Sequence, residues 1–94
     1  MPEETYEFED LTYERLDAAG IRPLSVLDVL HGSPRVRRHI GAAMQIAGRD
    51  RAGTWIVVAL IERGGDDRYT VTGARQLDAD EIAAIAKMME GDQS

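Results

Sequence analysis

Along the chain, apolar residues fall first at helical spacing, then in runs and alternations, and finally at helical spacing again. In "EDLTYERLDAAG", Tyr13, Leu16 and Ala19 lie three apart and Gly20 follows as a stop, which predicts a short helix. "RPLSVLDVLHG" predicts a second helix. Pro23 suits a first turn, Leu24, Leu27 and Leu30 recur at threes, and Gly32 ends the segment. The "GSPR" that follows predicts a turn.

The middle of the chain changes period. Met44 and Ile46 alternate with Gln45, which predicts a strand closing near Gly48, while residues 35–39 read as a loop or an edge strand. From Trp55 to Glu62 both alternating sets are apolar, so this strand belongs at a sheet centre with cover on each side. "GGDD" predicts a hairpin turn, because glycine accepts positive φ and aspartate bonds its own backbone. Residues 68–75 predict the next strand, with Tyr69, Val71 and Gly73 facing one way and Thr70, Thr72 and Ala74 the other.

"LDADEIAAIAKMMEG" predicts the last helix. Asp78 caps it, Glu81 sits at the reciprocal capping-box position, and Gly91 is the expected stop. Ile82, Ile85 and Met89 form its apolar stripe, and the pair Met88 and Met89 is expected as core filling. The expected class is therefore α+β. Two N-terminal helices and a C-terminal helix pack on an antiparallel sheet of three strands, or four if residues 35–39 join. One domain over residues 1–94 is expected, with residues 1–5 and 91–94 as flexible ends.

Composition fits a globular chain, with 44% hydrophobic and 30% charged residues. The chain has no cysteine, so it has neither a disulfide framework nor a thiolate. No apolar run reaches the ~20 residues of a membrane span, and "MPEETYEFED" lacks an apolar leader region, so a cytoplasmic location is expected. A core this small leaves room for a partner surface, in a homo- or hetero-oligomer. The net charge of −6 argues against nucleic acid, but its distribution changes that picture. Residues 31–75 hold eight arginines and four acids, while both flanking segments are acidic. A basic middle permits a phosphate site.

Several kinds of site are absent from the pattern. The two histidines, His31 and His39, are eight apart with no cysteine nearby, which does not suit a metal centre. "ERGGDD" lacks the lysine and spacing of a phosphate loop, and there is no nucleophile elbow. No metal or cofactor is expected. What remains is an arginine set, Arg49, Arg63 and Arg75 at strand ends, with Glu62 and His39 as acid–base candidates. RNA cleavage without a metal needs a cation beside the phosphate, a base for the 2′-hydroxyl and an acid for the leaving oxygen. The arginines beside His39 in "RVRRHIG" favour its neutral form, which suits a base. Taken singly, each residue reads first as a solvated charge at a strand end.

The run "IAGRDRAGTWIVVALIERGGDDRYTVTGARQLDADE" resembles the BrnT group of bacterial toxins, whose fold is similar to that of RelE-type ribonucleases. The matching elements are Gly48-Arg49, Glu62-Arg63 and Gly73-Ala74-Arg75, and the front "YEFEDLTYERLDAAGIRPLSVLDVL" is similar too. The family carries a Lys-His pair before the front glycine, where this chain has Ala18 and Ala19. The resemblance implies an endoribonuclease toxin with a cognate antitoxin as partner. Its RNA would bind between Arg35 and Arg75, with Arg49, Arg75 and Arg63 on the phosphate. The alternative is a non-enzymatic protein-interaction domain of the same fold.

Overall fold

The strand that the pattern makes apolar on both faces is the central one. A computed structural model describes residues 5–32, 35–64 and 67–92. The elements run β1 (Thr5–Phe8), α1 (Asp10–Ala19), α2 (Pro23–His31), β2 (Arg35–Ile40), β3 (Ala43–Arg49), β4 (Trp55–Glu62), β5 (Arg68–Gln76) and α3 (Ala79–Asp92). They form one five-stranded sheet in the order β1-β5-β4-β3-β2. The class is α+β. The sheet is larger than expected and not purely antiparallel: residues 35–40 join as an edge strand, and β1 pairs with β5 in parallel. The start of the chain gives too little local signal to predict β1, because four residues carry no clear period. Partners hold it: Tyr6 stacks on Tyr69 with centroids 6.0 Å apart, and Arg68 Nη2 donates to Glu7 Oε1 at 2.7 Å. Thr5, expected in a flexible end, donates its N–H to the Asp67 carbonyl.

One sheet face carries Met44, Ile46, Ile56, Val58, Leu60, Tyr69 and Val71, and α1 and α2 cover it with Leu16, Val26, Val29 and Leu30. Each such side chain taken fully out of water contributes about 1.5–3 kcal/mol before the entropy of ordering. The helices turn differently from the pattern. Tyr13 and Leu24 are half exposed, and the buried positions are Thr12 with Leu16, and Val26 with Val29 and Leu30. Helix facing is decided by what the sheet offers, and a spacing of three fits more than one stripe on a helix of about ten residues. Thr12 is buried because its hydroxyl accepts from the Glu9 N–H and donates to the Val71 carbonyl, joining α1 to β5. Gly20 at φ 71° ends α1 in the left-handed region that glycine enters most easily.

The second face is only partly covered, by α3. Asp78 and Glu81 form the expected capping box, Glu81 N–H to Asp78 Oδ1 at 2.8 Å and Asp78 N–H to Glu81 Oε1 at 3.1 Å. The helix continues past the expected stop at Gly91 to Asp92. Ile82 and Ile85 are half-buried, whereas Met88 is 56% exposed and fills no core. The side chain of Met89 lies outside the described residues. So do Gly65 and Asp66 of the hairpin and Ser33 and Pro34 of the earlier turn.

One irregularity positions the site. The pairing of β4 with β5 slips between Ala59 and Leu60, so that Thr72 becomes an extra residue in β5. Beyond it the alternation reverses. Ala74 packs against the core with Tyr69 and Val71, while Gly73 and Arg75 share the other face with Thr70, contrary to the simple alternation expected of residues 68–75. The Thr72 hydroxyl caps the slip by donating to the Ala59 carbonyl at 3.2 Å, and Arg15 Nη1 donates to the Thr72 carbonyl at 3.1 Å.

Candidate functional site

Strands β3 and β5 both run antiparallel to β4, so they run with each other and end at the same end of the sheet. Arg49 lies opposite Trp55, and Arg75 lies opposite Val57. Both therefore stand on the partly covered face, one on each side of β4 and two positions apart. From strand spacing and rise their Cα atoms are about 12 Å apart, near enough for two long side chains to reach a common ligand. Without the extra residue at Thr72, Arg75 would point to the helix-covered face. The bulge puts both arginines on one face of the sheet.

Their local settings differ. The Arg49 guanidinium lies over the Trp55 ring, 5.4 Å from its centroid, a cation–π contact that leaves the cation at the surface. Trp55, the first residue of the doubly apolar strand, is half-buried on this face. Arg75 reaches the first turn of α3 and donates from Nη1 to Glu81 Oε1 at 2.7 Å and from Nη2 to Glu81 Oε2 at 2.6 Å. That pairing raises the pKa of Arg75 and, with the Asp78 N–H, holds the Glu81 carboxyl down at about 2. Glu81 is thus a fixed anion. The sequence marks it only as a helix cap, and its second role needs β5 beside α3.

The remaining candidates lie elsewhere. Glu62 and Arg63 are five to eight residues along from Trp55 and Val57, at the opposite end of the sheet, roughly 17–27 Å away at strand rise. Arg63 Nε donates to Thr70 Oγ1 at 3.3 Å. His39 pairs with Met44 on the exposed edge strand, near that same far end and on the helix side of the sheet. The five predicted residues thus form two groups, Arg49 with Arg75 and His39 with Glu62 and Arg63. Arg38, opposite Gln45, points the same way as Arg49 and Arg75, which adds a third arginine to the open face. Of the arginines away from this face, Arg51 is tied to Asp28 at 3.0 Å and Arg68 to Glu7 at 2.7 Å. Arg51 in turn lowers the pKa of Asp28 through hydrogen bonds to its side chain.

Two adjoining hollows occupy the open face and share Gln45, Val57 and Arg75. One, of about 440 Å³, runs under α3; the other, of about 280 Å³, lies over the bulge at Thr72 and Gly73. Among the described residues no three histidine, aspartate or glutamate side chains gather where a metal ion could be held. Nor is any described helix long and apolar enough to cross a membrane. No family model matches the sequence, and no curated protein matches it.

Proposed function

We propose that this protein is the toxin of a bacterial toxin–antitoxin pair, an endoribonuclease that holds the scissile phosphate of RNA on the open sheet face. The supporting observation is the convergence of Arg49 and Arg75 on one face and one end of the sheet, brought about by the bulge at Thr72. Two guanidinium groups bind phosphate oxygens bidentately and stabilise the charge that develops as the 2′-hydroxyl attacks. Glu81 touches Arg75, but a carboxylate held at about 2 is a weak base. Most of the rate gain therefore comes from orientation and electrostatics. The antitoxin covers this same face when it neutralises the toxin.

A second reading, a protein-interaction domain without catalysis, draws on the occupied arginines and on the exposed apolar residues Leu11, Tyr13, Leu24, Ile40 and Met88. One experiment separates the two. The chain is induced alone in bacterial cells beside an Arg49→Ala, Arg75→Ala double variant of equal solubility. Growth arrest with new RNA 5′ ends, lost in the variant, supports the ribonuclease. Normal growth with intact RNA at confirmed soluble expression leaves the interaction domain.

A further inference from the structure

We infer that the groove between α3 and the sheet binds an unpaired nucleobase of single-stranded RNA, beside the phosphate held by Arg75; this rests on the phosphate reading above. The groove of about 440 Å³ has room for a nucleoside. Its floor is Val36, Ala47 and Val57, and Leu77, two residues before α3, lies opposite with Ile85 and Met88 of α3. Two apolar walls suit the flat faces of a base. A methionine adapts to an irregular guest, and Met88 is already 56% exposed. Gln45 lines the same groove from β3, on the sheet face of Ala47, and brings both a donor and an acceptor for a base edge.

The charge at the rim fits a nucleotide better than it fits the chain as a whole. Among the described residues that line the groove, Arg38 and Arg75 stand beside the acid Glu81, in a protein of net charge −6. Glu81 does not use up Arg75. Nη1 donates to Glu81 Oε1 and to the Gln76 carbonyl at 3.4 Å, and Nη2 gives one hydrogen to Glu81 Oε2. The Nε–H and the second Nη2 hydrogen are left over, and they form the other parallel fork of the guanidinium, which matches two phosphate oxygens. Glu81 thus fixes the plane of Arg75 while leaving that edge for the ligand. A duplex presents its bases stacked and paired, so only single-stranded RNA can offer one to such a groove.

The test is side-chain NMR of the full chain during titration with adenosine 5′-monophosphate, uridine 5′-monophosphate and ribose 5-phosphate. All three perturb Arg75. Only the nucleotides shift the Val57, Ile85 and Met88 methyl groups, and they bind about tenfold more tightly than the sugar phosphate, the gain from burying one base face. Ala84, an exposed residue of α3 lining the groove, is replaced in Ala84→Phe to fill the space. That variant binds nucleotides only as tightly as ribose 5-phosphate, whose own binding is unchanged. Equal binding of all three ligands with silent groove methyls overturns the base site and leaves the phosphate reading intact. No response from Arg75 to any ligand overturns both. Groove methyls that respond to an apolar helical peptide and not to nucleotides assign the groove to a protein partner and overturn the inference.

Discussion

Glu81 meets Arg75 end-on, with each carboxylate oxygen on its own guanidinium nitrogen at 2.7 and 2.6 Å. The contact ties the first turn of α3 to the end of β5, and the same carboxylate accepts the Asp78 N–H that opens the helix. One side chain therefore caps a helix, anchors it to the sheet and orients the arginine at the end of β5 on the open face. The pair is solvent-accessible, so its value lies in geometry more than in energy.

This contact has a pH signature. The Glu81 carboxyl falls from an ordinary 4.5 to about 2 on folding, so it binds its proton less readily in the folded chain than in the unfolded one. Its contribution to stability is fully present above 4.5 and is lost as pH falls towards 2. The expected result in urea unfolding is that Glu81→Gln is less stable than the parent at neutral pH and converges with it near the acid end. Parallel curves across the whole range would show that the pair does not form in solution.

The division of the arginines predicts a division of effects. Arg49→Ala and Arg75→Ala each weaken binding of a single-stranded oligoribonucleotide by about tenfold, the loss of one charged hydrogen-bonding group. Arg63→Ala, Glu62→Gln and His39→Ala, at the far end, leave binding within a factor of about two. Fluorescence anisotropy at constant ionic strength reads both sets. If the far-end variants lose as much as the near-end ones, the open-face site is in the wrong place.

Thr12 is a buried hydroxyl with a partner on each side. Thr12→Val keeps the shape and removes both bonds, which leaves the Glu9 N–H and the Val71 carbonyl each short of a partner. A loss of about 2 kcal/mol is expected from chemical denaturation. A neutral substitution would mean that the bond to β5 contributes nothing.

Two neighbours on β4 separate the faces. Leu60 is 1% exposed on the helix-covered face and Ile61 is 36% exposed on the other. Leu60→Ala is expected to cost about 3 kcal/mol, a transfer term plus a cavity, and Ile61→Ala under about 1 kcal/mol. Equal costs would require the second face to be buried as deeply as the first.

Gly32 and Gly20 both follow helices, yet different physics holds each. Gly20 has open space but a φ of 71°, so Gly20→Ala meets only backbone strain, about 1 kcal/mol. Gly32 has an ordinary extended conformation, but an added Cβ would collide with the Asp28 carbonyl oxygen. Gly32→Ala is therefore the costlier change in a thermal melt, and the reverse order would refute the clash.

Local chemistry determined a good deal of this fold from the sequence alone. The glycines that stop α1 and α2, the Asp78–Glu81 box that starts α3, and the doubly apolar run of β4 each act over a few residues, so each is visible in a short window. Only the tertiary structure could decide which stripe of α1 and α2 turns inward, because that depends on the sheet they meet. The pairing of Thr5–Phe8 with β5 is likewise a contact across sixty residues with no local period to announce it. The site shows the same division. Arg49 and Arg75 were legible as strand-end cations, and their common end follows from two strands running antiparallel to a third. Their common face does not follow from the sequence. It depends on a single extra residue, Thr72, held in a bulge by the Ala59 carbonyl and by Arg15, and a bulge reverses every side chain beyond it.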